Sequence, residues 1–413
     1  MNKKFTLFST TFLIGLSLQA QIIQGEISMG QAYQNDVYFG LENQTQFEVN
    51  RQEWDLAFFR KSMYGLGIRV NDTKGIQVFE ASNSFSDWNS ISPSNESTWV
   101  PLYNSVEKWD EGAFNHGSAT YGWGEYDMVT HHVNGKIIFV LKYDNGDYIK
   151  LRIDKLAYGT YTFTFSKWEN GTWSADERVN IEQNTSQNRI FNYYNLSTKQ
   201  IVNAEAEQDK WEMKFTKYQT PLPYEGGTIM YPVTGILQSD LVKVAKTEAG
   251  NPSDDDAYKA EINSIGYDWK TFNGSTYSLS NLNYFIKNTN TNRIYRLNFT
   301  GFEGSSTGKI TFDYEDVTSS LSISDIRTSN FDVYTIQSEP KTIQVVFNGQ
   351  FSTNENMLIS VFNLNGQIVH QESYRPSAQF TTKKINLSKL GSGIYIVNIE
   401  SNGIKKSKKI ALR

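Results

Sequence analysis

The sequence predicts an all-β fold, and three features carry that expectation. Aromatic residues make up 14% of the chain, led by 25 Phe and 24 Tyr, side chains that suit pleated, half-buried surfaces. Short alternating runs bounded by turn residues recur, such as "YTFTF" (Tyr161 to Phe165) and "KIIFVLKY" (Lys136 to Tyr143), the latter running into the hairpin signal "YDNGD" (Tyr143 to Asp147). Sustained helical periodicity is missing. The nearest candidate, "SDLVKVAKTEA" (Ser239 to Ala249), is rich in β-branched residues and leaves helix and strand open.

In chain order, residues 1–20 read as a signal peptide. Lys3 and Lys4 precede an apolar run from Phe5 to Leu18, and Ala20 offers a cleavage point before Gln21. The run is too short and too rich in Ser and Thr to span a bilayer, and no other segment approaches transmembrane length. The mature protein is therefore expected outside the cytoplasm. It contains no Cys, so its stability comes from packing without disulfides, and thiolate metal sites and cysteine nucleophiles are excluded. A formal charge of -5 with 20% charged residues provides no basic field to hold nucleic acid.

At 413 residues the chain is expected to form two or three domains. Two stretches match in order. "EWDLAF" (Glu53 to Phe58) matches "KWEMKF" (Lys210 to Phe215), and "IFVLKYDNGDYIKLRI" (Ile138 to Ile153) matches "NYFIKNTNTNRIYRLNF" (Asn283 to Phe299). "YTFTF" matches "ITFDY" (Ile310 to Tyr314), and the lead-ins "VYFGLENQTQFEV" and "NYYNLSTKQIVNA" also agree. This predicts two tandem, mostly antiparallel units, 21–175 and 176–320. Each opens on a strand anchored by Trp54 or Trp211 and closes on a hairpin with one buried face. Phe163 and Phe312 are expected on equivalent faces. A Ser-rich linker over 321–339 then leads to a C-terminal domain, 340–413.

That last segment closely resembles the type A sorting domain of the type IX secretion system. The residues that carry the likeness are "ISVFNLNGQIVHQES" (Ile359 to Ser373), "INLSKLGSGIYIVNIESNG" (Ile385 to Gly403) and the basic ending "KKSKKIALR" (Lys405 to Arg413). The resemblance implies a small immunoglobulin-like β-sandwich that is handled by the type IX secretion machinery. It also implies delivery to the outer-membrane surface or the medium by way of the periplasm.

The two units resemble the HmuY family of haem-binding β-proteins through "YF" (Tyr38, Phe39), "WDLAF", "FNHG" (Phe114 to Gly117) and "YTFTF". The second unit adds "YYNL", "WEMKF" and "GKITFDYEDV" (Gly308 to Val317). The resemblance implies haem as a cofactor, with His116 at the family's Phe-x-His-Gly position. The family's other histidine lies upstream, and no histidine precedes His116 in this chain. His132 and the thioethers of Met63 and Met128 are the remaining candidate axial ligands. His131 and His132 are adjacent, and on a regular strand they face opposite ways.

Other features offer weaker chemistry. "GSSTG" (Gly304 to Gly308) leads into a strand where a nucleophile elbow needs a helix. "SDDDAY" (Ser253 to Tyr258) lacks the alternating spacing of a calcium loop. Trp88, Trp99, Trp109, Trp123, Trp168 and Trp173 crowd the first unit, as core packing or as an aromatic surface that stacks a sugar or porphyrin. The expected function is that of an exported, non-catalytic binding protein of unknown ligand. Haem binding through His116 is one alternative, and a structural or adhesive role is the other.

Overall fold

A computed structural model of the chain describes residues 21–62, 64–183, 188–318, 321, 331–349, 356–376, 380–401 and 404–412. The expected leader, residues 1–20, and Met63 lie outside the described residues. The chain forms two compact units, Met1–Thr318 and Ser319–Arg413. The described strands of the first unit pair antiparallel, and short 3₁₀ turns interrupt them.

The first unit contains two lobes of the same design, and the chain exchanges segments between them. The lead-in hairpin Asn35–Gly40 and Thr45–Asn50 pairs with the second Trp-led strand, Met213–Tyr224, with Phe39 opposite Met213. The other lead-in strand, Phe191–Asn195, pairs with the first Trp-led strand, Leu56–Phe59, with Tyr194 opposite Leu56. The outer strands follow the same rule. Ile23–Ser28 adds to Lys309–Asp316, and Glu177–Glu182 adds to Thr160–Glu169. The expected boundary at 175/176 therefore does not separate two bodies. One lobe is the continuous stretch of about 51–203, and the other combines about 21–50 with 204–318.

Each lobe is a two-sheet sandwich. In the first, Leu56, Phe58, Ile68 and Val70 of a four-stranded sheet pack against Ile76, Val78, Phe139, Leu151 and Phe163 of a larger one. In the second, Val37, Phe39, Met213 and Phe215 pack against Val244, Ile286, Leu297 and Phe312. Phe163 and Phe312 are both fully buried, opposite Ile153 and Phe299, and a β-bulge follows each of those partners. The segment left open between helix and strand is a strand, Val242–Thr247. Alternate residues Val242 and Val244 enter the core, so period two decides it.

The lobes meet through the outer faces of their four-stranded sheets. Tyr38, Trp54, Ala57, Tyr193, Trp211 and Leu237 form this seam, while the neighbours of Tyr38 and Ala57 in sequence fill the lobe cores. These strands are buried on both faces, which explains their nearly continuous apolar runs. The seam is reciprocal. Trp54 meets Tyr193 edge to face at 4.9 Å and 78°, and Trp211 meets Tyr38 at 4.9 Å and 79°. The acidic residue after each Trp holds the exchanged hairpin. Asp55 Oδ2 accepts from the Leu196 N–H at 2.7 Å, and Glu212 Oε2 accepts from the Leu41 N–H at 2.7 Å. Tyr143 donates its hydroxyl to Asp55 at 3.1 Å, and the corresponding Asn288 donates its amide to Glu212 at 2.9 Å. Asp55 also pairs with Lys74 Nζ at 2.7 Å.

The second unit is a sandwich of a three-stranded sheet (Phe331–Glu339, Thr342–Gly349, Phe380–Asn386) and a four-stranded sheet (Met357–Phe362, Ile368–Tyr374, Gly393–Ser401, Ile404–Leu412). Val333, Val345 and Phe347 face Ile359, Val361, Val397 and Ile399 across its core. Residues 331–339, read as linker, are a strand here. They pair with Thr342–Gly349, and Val333 supplies the apolar side chain that makes the strand part of the core.

Two stability predictions follow from the seam. Asp55→Ala should cost about 3–5 kcal/mol in denaturant unfolding, because it strands Lys74 and the buried Leu196 N–H. Glu212→Ala, which breaks no ion pair, should cost about 1–3 kcal/mol. Glu205 accepts from Ile190 N–H and Phe191 N–H, yet complete burial raises its pKa to about 7. The folded state therefore holds this proton where the unfolded chain releases it. The stabilisation is complete below about pH 4.5 and is lost as the pH rises through about 7. The loss is on the order of 3 kcal/mol, and Glu205→Gln should flatten that slope in urea melts between pH 4 and 8.

Candidate functional site

Of the residues singled out for ligation, His116, Met128, His131 and His132 lie in the first lobe. His116 ends a 3₁₀ turn, Ala113–His116, and is exposed. His131 and His132 sit where the hairpin Gly124–Asp127 and His132–Gly135 turns, and this hairpin adds to the large sheet through Val133 opposite Leu156. His131 has φ 57°, so the turn departs from a regular strand and the two rings are not set on opposite faces by a pleat. The His132 ring stands edge-on to Tyr158 at 4.9 Å, and its Nε2 is buried without a hydrogen-bond partner. His370 lies in the sorting unit beside Glu372 at 3.4 Å. Among the described residues no group of three or more His, Cys, Asp or Glu is placed to hold a metal.

The structure places a cavity of about 320 Å³ among these loops, lined by Tyr64, Leu66, Tyr121, Tyr126, His131, Val133, Leu156, Tyr158 and Gly159. The volume is that of a small-ligand pocket. Leu66, Val133 and Leu156 give it an apolar lining, and four tyrosines bring rings with polar tips. The Tyr126 hydroxyl and His131 Nδ1 are hydrogen-bonded at 2.8 Å. Tyr64 and Tyr158 are 84% and 87% exposed, so neither is spent on core packing.

Tyr158 also adopts φ 50° in the turn that ends on Gly159. Asn, Asp or Gly is favoured at such a position, and a bulky residue is strained there. The conformation is that of the two-residue hairpin turn, shared by Glu225 and Gly226, and it projects the tyrosine ring outward at the cavity.

The second lobe provides an internal comparison. Leu156 lies opposite Tyr161 and the corresponding Phe302 lies opposite Ile310. Around Phe302 the space is filled. Tyr277 packs on it edge to face at 4.7 Å and Trp269 at 5.5 Å, and Lys270 Nζ sits 4.9 Å from its ring and 4.6 Å from Trp269. Burial lowers the Lys270 pKa to about 8. Trp123 of the first lobe is the counterpart of Trp269, and Gly124 stands where the second lobe has Lys270. The pocket is thus a property of the first lobe and is not required by the fold.

Sequence reasoning passed over Tyr64, Tyr121, Tyr126 and Tyr158. They are distant in sequence, and no local pattern links them. Of the other motifs, "GSSTG" forms a 3₁₀ turn, Gly304–Ser306, between two strands. In the acidic loop Asp254 caps the Ala257 N–H at 3.1 Å and Asp255 pairs with Lys287 at 2.8 Å.

Residues 339–413 match the family of secretion system C-terminal sorting domains. The match is to a type IX sorting domain, so the chain is exported by that route to the cell surface or the medium. Among the described residues no helix is long and apolar enough to cross a membrane. No curated protein matches the chain. Among solved structures it is similar to the tetra-tandem repeat in the extending region of a large adhesion protein. The identity is 8% over 95% of this chain and 82% of that one, with a TM-score of 0.18.

Proposed function

We propose that the protein is an exported, non-catalytic binding protein that takes a flat, largely apolar ligand with a polar edge into the tyrosine-lined pocket of its first lobe. The observation that carries this reading is the cavity itself, with Tyr158 87% exposed at its mouth, at a place that the second lobe fills with its own side chains. Apolar walls supply contact area, and the tyrosine hydroxyls and His131 orient the polar edge.

Haem, the ligand implied by the resemblance to the HmuY family, is a particular case of that chemistry. It is favoured by the histidine next to the pocket and disfavoured by the exposed, separate position of His116. Two titrations distinguish contact from ligation. Metal-free protoporphyrin IX and hemin should bind alike, at micromolar affinity or weaker, and Tyr158→Ser should weaken both about tenfold. Nanomolar hemin binding with a six-coordinate spectrum, lost in His116→Ala or His132→Ala, would replace this reading with the haem one. No binding of either ring at 100 µM would remove the pocket assignment.

The sorting unit acts on location and not on the ligand. Deleting residues 331–413 should leave a soluble chain in the periplasm with its first unit folded, scored by fractionation and circular dichroism. Normal surface delivery of that truncation would contradict the export role.

A further inference from the structure

We infer that a second cleft of the first lobe is a binding site for a neutral saccharide, independent of the tyrosine pocket. This cleft has a volume of about 560 Å³ and lies where three turns converge. The hairpin turn after Tyr143 brings Asp144, Asn145 and Asp147. The end of the strand Thr160–Glu169 brings Lys167 and Trp168, and the exchanged hairpin brings Ser197.

The second lobe shows what the same place looks like when it is closed. Strand registers make Arg293 the counterpart of Asp147, Asp316 that of Lys167 and Glu42 that of Ser197. Arg293 bridges Glu42 at 3.3 Å and Asp316 at 3.5 Å, tying the three turns together. In the first lobe all three closing residues are exchanged for side chains that line an open cleft. The counterpart of Trp168 is Val317, which is 7% exposed. The fold therefore requires neither an indole nor an opening at this point.

The lining specifies the ligand class. Trp168 is half-buried and held edge to face by Trp173 at 5.0 Å. A rigid indole face beside carboxylates, amides and ammonium groups suits a ring that is apolar on one face and ringed with hydroxyls. Asp144, Asp147 and Glu169 face Lys167, while the charge of Lys74 is met by Asp55, so the lining is acidic on balance and repels anions. Carboxylates that accept from hydroxyls beside an indole face favour an uncharged sugar over a nucleotide or a phosphate.

Affinity electrophoresis of the full chain in gels containing laminarin, mannan, xylan or galactan tests this. At least one should retard the protein, and Trp168→Ala should reduce the affinity at least tenfold. A triple variant, Asp147→Arg with Lys167→Asp and Ser197→Glu, transplants the closing triad of the second lobe. Because that triad already sits on this scaffold, the variant should fold, as checked by its melting curve, and lose retardation. The inference fails if no neutral polysaccharide in the panel retards the protein, or if retardation survives both Trp168→Ala and the folded triple variant.

Discussion

Two buried carboxylates hold the architecture together. Asp55 and Glu212 each follow a seam tryptophan, and each accepts a backbone N–H from the hairpin that its lobe has borrowed. A carboxylate without such partners would be expensive to bury, and burial already pushes the Glu212 pKa upward. The exchanged hairpin supplies the partners and therefore cannot leave without exposing an unpaired charge. The same residue fixes strand register, since its own N–H donates to Tyr194 or Phe39 of that hairpin. Lobe cores, seam and outer strands all follow from this attachment.

The exchange also explains why the first unit is a single body. A tandem pair of self-contained sandwiches could move about a linker. Here the continuous first lobe is inserted between the two segments of the second, and the inner sheets of both are buried on both faces by a lobe core and by the seam. The loops at the lobe ends are free of that constraint. Both candidate sites lie on such loops of the first lobe, one beside Tyr158 and one beside Trp168. The second lobe closes the equivalent places with Lys270 and with the Arg293 triad. A duplicated scaffold in which one copy is closed and the other open separates residues that serve folding from residues available for binding.

The sorting unit has a different economy. Among the described residues its core is drawn from 331–412, and its final strand, Ile404–Leu412, ends on buried Ile410 and Leu412 while exposing Lys408 and Lys409. Lysines along an edge strand keep it from pairing with other chains.

The sequence by itself determined the all-β class, the hairpin at Tyr143 to Asp147, the repeated order of elements and the export segment. Each of these rests on local pattern: alternation, turn residues, or a contiguous match. The correspondence of Trp54 with Trp211 was equally legible, because it depends on residues a few positions apart. Only the tertiary structure decided that the lead-in hairpins trade places. A strand carries the same alternation whichever partner it pairs with, so no local signal distinguishes exchange from tandem folding. The ligand-facing residues were hidden for a related reason. Tyr64, Tyr121, Tyr126 and Tyr158 come from separate loops, and Asp147, Lys167 and Ser197 from separate turns. Their proximity is set by strand pairing over long sequence separations, and composition alone could not distinguish an exposed tyrosine from the many buried in the core.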